Sequence, residues 1–226
     1  MTVKIGGITI GQAPRMDVVH DILPILGDNI ELLQSGALDD LSVEDINNFS
    51  TIGPDDYVLV SKMRDGTEVK FAERHVLPLL QNCIDKLEQQ GVSAILFLCT
   101  GDFDDTLHSR VPLIFPNKII SALVPVLAPH SKIATLTPSP AQLEQSKQKW
   151  SKFVQSVTPI AASPYKDSEL EIDKAAAIVR DLDVYLVVMD CIGYSEQMKA
   201  SLRKQTGKNI LLSRTLIARV IKEMVD

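Results

Sequence analysis

The chain has 226 residues, a formal net charge of −6, and 45% hydrophobic and 23% charged residues. That length suits one large domain or two lobes with real cores. The acidic balance without a clustered Lys/Arg patch argues against a nucleic-acid partner, and no apolar run approaches the roughly 20 residues of a membrane span.

In chain order, residues 4–10 read as a strand, and the loop Gly11-Gln12-Ala13-Pro14-Arg15 opens a helix over 17–26. A strand follows at 30–34, then a short helix capped by Ser42 with Asp45 three residues on, in the manner of a capping box. Residues 57–62 form a strand, and Asp65-Gly66 signals a turn that folds 67–71 back as a hairpin. Apolar Val76, Leu79, Leu80, Cys83, Ile84 and Leu87 recur at helical spacing over 73–89. After the run ending at Gly101 comes a polar loop with Asp102, Asp104, Asp105, His108, Ser109 and Arg110, expected to lie over a pocket mouth. Pro116 introduces a helix over 118–127, and a strand follows at 132–137. Pro138-Ser139-Pro140 opens a helix that reaches residue 153. Then come a strand at 157–161, the loop Ser163-Pro164-Tyr165 and a helix over 168–181. The helix over 196–205 ends at Thr206-Gly207, and a strand at 209–212 and a helix at 215–225 close the chain. Strands alternating with helices predict an α/β fold with parallel sheets.

Two stretches organise the rest. Ala94-Ile95-Leu96-Phe97-Leu98-Cys99-Thr100-Gly101 and Val184-Tyr185-Leu186-Val187-Val188-Met189-Asp190-Cys191-Ile192-Gly193 are both continuous apolar runs that reach a cysteine, one further residue and a glycine. Such a run suits a parallel strand buried on both faces, and the carboxyl end of that strand is where open α/β sheets bind ligands. The segments 4–9 and 132–137 head the two stretches in similar patterns, ending in Thr9 and Thr137. The separation from threonine to cysteine is 90 residues in the first half (99 − 9) and 54 in the second (191 − 137). The first half therefore carries an insertion, placed around residues 42–71.

A cysteine in an apolar strand is more often packing than chemistry. Two at equivalent repeat positions, each just before a turn glycine, point to a site. Backbone amides and a helix dipole at a strand end are expected to lower the thiol pKa towards neutrality. Two thiols on opposite faces of a carbon acid suit racemisation, one removing a proton and the other delivering one. Thr9, Gly11, Gln12, Thr100, Thr137 and Ser139 occupy loop positions suited to stabilising the developing oxyanion. Arg15 and Arg64 are candidate clamps for a substrate carboxylate, with surface solvation the alternative. Cys83 reads as core, and Asp190 as a buried, paired carboxylate. Tyr165 and Tyr194 line the cleft or pack beside it. His108 is a weak candidate for the cleft; His20, His75 and His130 carry no expected chemistry. No phosphate loop, dinucleotide fingerprint or His-Glu metal motif is present, so no cofactor or metal is expected. Three widely spaced cysteines form no disulfide framework, and the strand-like start is unlike a signal peptide; the cytosol is the expected compartment. A homodimer is expected on base rates.

The paired cysteine strands resemble those of the aspartate/glutamate racemase superfamily. Within it, Thr9-Ile10-Gly11-Gln12-Ala13-Pro14-Arg15, Arg64-Asp65-Gly66, Leu98-Cys99-Thr100-Gly101, Asp190-Cys191-Ile192-Gly193-Tyr194 and Ser213-Arg214-Thr215 resemble the AroM family. The resemblance implies two similar flavodoxin-like lobes related by an approximate two-fold axis, with the site in the cleft between them. The first lobe would be 1–112 plus 207–226 and the second 113–206. It also implies cofactor-independent chemistry on a small carboxylate, with Cys99 and Cys191 as proton carriers and Ile192, Gly193 and Tyr194 beside the substrate. Thr100 follows the first cysteine as in many amino-acid racemases, but Ile192 follows the second, which points towards a less polar carboxylate than glutamate. The alternatives are a decarboxylase or cis–trans isomerase that uses one cysteine, and a non-catalytic binder of a small metabolite.

Overall fold

The computed structural model describes residues 2–49, 51–103 and 106–225. In order, its elements are β1 (Val3–Thr9), α1 (Met16–Leu26), β2 (Ile30–Gly36), α2 (Val43–Phe49), β3 (Val58–Lys62), β4 (Glu68–Ala72), α3 (Glu73–Gln89), β5 (Ala94–Phe97) and β6 (Leu113–Ile114). Then follow α4 (Pro116–Leu127), β7 (Lys132–Thr137), α5 (Leu143–Trp150), β8 (Ser156–Ala161), α6 (Ser168–Asp181), β9 (Leu186–Met189), α7 (Glu196–Thr206), β10 (Ile210–Leu212) and α8 (Ser213–Val225). Among the described residues, no helix is long and apolar enough to cross a membrane.

The described residues form two four-stranded sheets, ordered β2-β1-β5-β6 and β8-β7-β9-β10, with every pairing parallel. Numbered within each half, both run 2-1-3-4, so the repeat read from the sequence is a repeat of topology. The extra elements of the first half are α2 and the antiparallel hairpin β3–β4, where the insertion was expected. Buried Val76, Leu80, Cys83, Ile84 and Leu87 seat α3 on the first sheet. Its approach is close: a Cβ added at Gly6 would lie 2.9 Å from Leu87 Cδ1. Ser42 Oγ accepts the Asp45 N–H at 3.2 Å, completing the predicted cap of α2. Gly207, at φ 67, ends α7 in the left-handed conformation that glycine adopts without strain.

The lobe boundaries differ from those expected. Strand β6 belongs to the first sheet and β10 to the second, each filling the fourth position of its own repeat. The helix after each fourth strand then crosses over. Ile120 and Val124 of α4 pack with Ile133, Leu186 and Val188 of the second lobe. Ile217, Ala218 and Ile221 of α8 pack with Ile5, Leu96 and α1 of the first. Strand β6 was not anticipated, because a two-residue strand carries no periodicity.

The crossing helix α8 brings Arg214 to the turn after β9, where the carbonyls have left the sheet ladder. The buried guanidinium donates from Nε to Ile192 O at 2.9 Å and from Nη2 to Gly193 O at 2.8 Å. Its Nη1 reaches Asp17 O at 2.9 Å and Asp21 Oδ2 at 2.7 Å, both on α1. Burial pulls the Arg214 pKa down from its ordinary value, while Asp21 works to keep the charge. Removing one partner of a buried charge network strands the others, at a typical cost of about 3–5 kcal/mol. Arg214→Met should therefore lower the unfolding free energy by about 3–5 kcal/mol in a denaturant titration. A loss within about 0.5 kcal/mol, typical of a surface change, would mean that the network does not hold the turn.

Candidate active site

Cys99 and Cys191 stand just past the carboxyl ends of β5 and β9, and both line one cavity between the lobes. The two turns repeat in detail. Each sulfur accepts the backbone N–H two residues on, Gly101 to Cys99 Sγ and Gly193 to Cys191 Sγ, both at 3.3 Å. Each turn is also braced from outside its own sheet. Thr100 Oγ1 donates across the cleft to Asp190 O at 3.0 Å, and Arg214 holds the second turn. The glycines are needed for space. A Cβ on Gly101 would lie 2.9 Å from Leu59 Cδ2, and one on Gly193 would lie 2.5 Å from the Tyr165 hydroxyl.

The cavity measures about 40 Å³, room for a few water molecules. The first lobe contributes Cys99, Thr100 and Gly101, with Tyr57, Leu59 and Val60 from the inserted hairpin and its lead-in. The second contributes Thr137, Pro138, Asp190 and Cys191, with Gln142, Gln145, Ser146 and Lys149 from α5 and the 3-10 turn before it. The hairpin is tied to the second lobe beside this space. Val58 N–H donates to Gln145 Oε1 at 2.9 Å, Gln142 Nε2 donates to Val58 O at 3.0 Å, and Ser163 Oγ donates to Glu68 Oε2 at 2.7 Å.

Thus Cys99, Cys191, Thr100, Gly101 and Thr137 line the cavity together, and the other candidates stand behind or outside its wall. Thr9 Oγ1 accepts the Gly11 N–H at 3.3 Å, and Gly11 packs so tightly on the hairpin that a Cβ would lie 2.7 Å from Lys62 O. Gln12 braces the loop by donating to Leu38 O and accepting the Arg64 N–H. Arg64 is half exposed and bound to Ala13 O and Asp39. Ser139 caps the 3-10 turn through the Ala141 N–H. Ile192 packs into the first lobe's core. Tyr194 is buried in the second lobe's core and donates to Ala162 O at 2.6 Å, so it is a packing residue.

The described residues of the loop after Gly101 do not line the cavity. Phe103 turns inward onto Phe97, and Glu88 of α3 draws Ser109 and Arg110 away. His108 lies exposed against Gln81; Asp104 and Asp105 fall outside the described residues. Among the described residues, no group of three metal-ligating side chains gathers.

Burial dominates the thiols. It pushes Cys99 up to about 12, against the Gly101 N–H, and the neighbouring Cys191 raises it further. Burial also raises Cys191, against the Tyr165 hydroxyl and the Gly193 N–H. The fall towards neutrality expected from the strand-end position is therefore overturned; one N–H bond does not offset removal from water. Arg15 is the nearby compensating charge, favouring the thiolate at both cysteines. Its guanidinium is buried, bidentate to Asp17 at 2.9 and 2.9 Å, and its Cζ lies 5.4 Å from the Tyr165 ring centroid. Tyr165 in turn places its hydroxyl 3.5 Å from Cys191 Sγ. Burial opposes the Arg15 charge, but Tyr165 and Asp17 outweigh it and hold the pKa above its ordinary value. Burial likewise raises the Tyr57 phenol, with Asp190 and Cys99 adding to the rise, so it stays protonated.

Asp190 Oδ2 accepts Lys149 Nζ and Trp150 Nε1, each at 2.8 Å, so the buried, paired carboxylate holds as expected. It also lines the cavity together with the two cysteines, which the strand alternation alone did not indicate. Tyr57, Gln142, Gln145 and Lys149 carried no signal in the sequence, since polar residues on an insertion or on a polar helix read as a solvated surface.

The AroM protein family's sequence profile matches residues 5–225. The chain belongs to the AroM family. No curated protein sequence matches it significantly. Solved structures of the same fold include allantoin racemase from Klebsiella pneumoniae, at 11% identity and TM-score 0.62, covering 99% of this chain and 88% of that one. Glutamate racemase from Aquifex pyrophilus is 13% identical at TM-score 0.60, covering 99% and 84%. The maleate isomerase Iso from Pseudomonas putida S16 is 13% identical at TM-score 0.60, covering 100% and 94%. The AroM chain thus has the two-lobed fold of the aspartate/glutamate racemase superfamily.

Because both thiols are raised, alkylation by iodoacetamide should climb with pH between 7 and 9 at Cys99 and Cys191 without levelling off. Tyr165→Phe removes one donor from Cys191, and should slow its alkylation by about fivefold at fixed pH while Cys99 is unchanged, read by peptide mass spectrometry. A plateau below pH 8, or equal slowing at both sites, would contradict this electrostatic account.

Proposed function

We propose that this AroM protein is an isomerase of the racemase type that moves a proton on a small carbon acid between Cys99 and Cys191, without a metal or organic cofactor. The observation that carries this reading is the pair of equivalent thiols on one cavity, each with the same N–H bond to sulfur. The superfamily fold supports it.

In this reading one cysteine is a thiolate and its partner a thiol. The thiolate takes the C–H proton, and the electron pair left on carbon moves onto the adjacent carboxylate or carbonyl oxygen. The opposite thiol returns its own proton to the other face and becomes the thiolate. Mutual repulsion of the sulfurs disfavours two thiolates together, which keeps the pair in the required one-proton state. Cys191 is the better resting thiolate, because it alone has a phenolic donor, Tyr165, besides its backbone N–H. The protonated Tyr57 hydroxyl and the Lys149 ammonium stand on the wall as donors for the developing oxyanion. Arg15 acts through space on both sulfurs rather than as a carboxylate clamp, since its guanidinium fork is already filled by Asp17.

A second reading follows from the unequal surroundings of the two sulfurs. A decarboxylase or cis–trans isomerase would use Cys191 alone.

Incubation in D₂O with amino acids, hydantoins and small di- and hydroxy-acids, followed by NMR, tests both. The two-cysteine reading predicts α-proton loss in one compound class, reduced at least 10³-fold in both Cys99→Ala and Cys191→Ala. Full exchange retained in Cys99→Ala would overturn it in favour of the single-thiol chemistry.

A further inference from the structure

A second cavity, of about 560 Å³, lies between α4 and α5. Tyr57, Gln145 and Lys149 line both it and the cysteine cavity, so these three side chains stand between the two. Small-molecule sites usually measure about 300–1,000 Å³, a range that includes the outer cavity and not the inner one. The two-cysteine reading gives the outer cavity no task.

Its lining follows the helical period. Gln145, Gln148, Lys149 and Lys152 stand at i, i+3, i+4 and i+7, one stripe of α5 and of the turn that continues it. Asn117, Lys118, Ser121 and Ala122 face it from α4. The stripe starts on the wall shared with the cysteine cavity and leads away from it; at 1.5 Å per residue, Gln145 and Lys152 are about 10 Å apart along the helix. The chemistry changes along that path. Lys149 is 12% exposed and its ammonium is held by Asp190 Oδ2 at 2.8 Å, so its charge belongs to the inner wall. Asp102, the one carboxylate on the outer lining, accepts Asn117 Nδ2 at 2.8 Å. Ala122 and Phe153 supply apolar surface, and Phe153 is 40% exposed although its ring meets Trp150 edge-on at 6.3 Å. Lys152 stands at the far end, and among the described residues no carboxylate pairs with it. A lysine alone on a surface is ordinary. One that ends a path from two paired thiols, past apolar side chains, is a seat for an anion.

We propose that the outer cavity is a second subsite, which holds the far end of a long carbon acid. The reacting carbon lies at the cysteines, a hydrocarbon segment runs along α5 against Ala122 and Phe153, and a terminal anion, carboxylate or phosphoryl, ends at Lys152. This rests on the reading of the inner cavity as a carbon-acid site. It gives the substrate a length, with its ionic ends about 10 Å apart, which short amino acids and hydroxy-acids do not reach.

The test uses the full chain. 2-Amino and 2-hydroxy diacids of increasing length, from the succinate to the sebacate skeleton, are compared with the same acids ending in methyl and with ones ending in phosphonate. Calorimetric titration reports binding, and α-proton exchange in D₂O reports chemistry. Long acids with a terminal anion should bind at least tenfold more tightly than short diacids and than their methyl-ended counterparts; the phosphonate arm separates a phosphoryl from a carboxylate end. Lys152→Gln should lose this preference and Lys152→Arg should keep it, with the melting temperature without ligand unchanged in both, because Lys152 is exposed. Equal affinity for long and short acids overturns the proposal, as do methyl-ended acids that bind as well as anionic ones, a length preference that survives Lys152→Gln, and a panel in which nothing binds. A long diacid that binds together with a short one also overturns it, since the outer cavity would then be a separate site. Exchange confined to short acids overturns it and leaves the two-cysteine chemistry standing. A length preference that depends on Lys152, without exchange in any compound, upholds the subsite and removes the proton-transfer reading instead.

Discussion

Arg214 carries the constraint on which the site depends. The turn after β9 leaves the sheet just where its sulfur must be aimed, so Ile192 O and Gly193 O have no ladder partner. A flexible turn would let Cys191 swing. One buried guanidinium takes both carbonyls and ties them to Asp17 O and Asp21 on α1. Burying that charge is costly, and Asp21 offsets part of the cost; the return is a fixed orientation of the Gly193 N–H on Cys191. Arg214 can make these bonds because α8 crosses from the second sheet to the first lobe. The helix exchange is therefore what lets one lobe hold the other's Cys191 turn. The Cys99 turn is held across the cleft as well, by Thr100 on Asp190 O. Both sulfurs are positioned by bonds between lobes, so relative motion of the lobes would disturb both.

The electrostatics follow from closure. Excluding water raises both thiols, and a carbon acid needs a strong base in a dry site. A thiol raised by burial is a stronger base once deprotonated. The fixed positive charge that favours both thiolates is Arg15, whose own carboxylate partner, Asp17, holds it in place; burial works against the Asp17 charge, but the Arg15 hydrogen bonds keep its carboxyl below the ordinary range. Tyr165 links this charge to Cys191 and leaves Cys99 without an equivalent donor. The two sulfurs are alike in backbone and unlike in surroundings, which breaks the symmetry that the repeat would otherwise impose.

The sequence made the strand ends legible because a buried parallel strand must be apolar throughout, so a cysteine followed by a turn glycine stands out. It made α3 legible to the residue through its apolar spacing. Thr9 and Thr137 were read as equivalent and are, yet only Thr137 lines the cavity, because the Gly11 loop packs under the inserted hairpin on the first side. The hairpin itself was visible through Asp65-Gly66, but its role as a cover was not, since that depends on Gln142 and Gln145 reaching Val58 from another lobe. Arg214 lay in a recognised triplet, and nothing local distinguishes a helical arginine that reaches two foreign carbonyls from one that is solvated. The resemblance put Tyr194 beside the substrate and gave Tyr165 no such place; instead the first is buried in the core and the second reaches Cys191.

The central claim is that the two sulfurs flank one carbon from opposite sides. The most direct measurement is the early distribution of deuterium between the enantiomers of whichever compound exchanges, separated on a chiral column and weighed by mass spectrometry. With opposed bases, the product enantiomer carries solvent deuterium from its first appearance while recovered starting material keeps its protium. Equal deuterium in both enantiomers at early times would mean that a single base serves both faces, and would contradict the account.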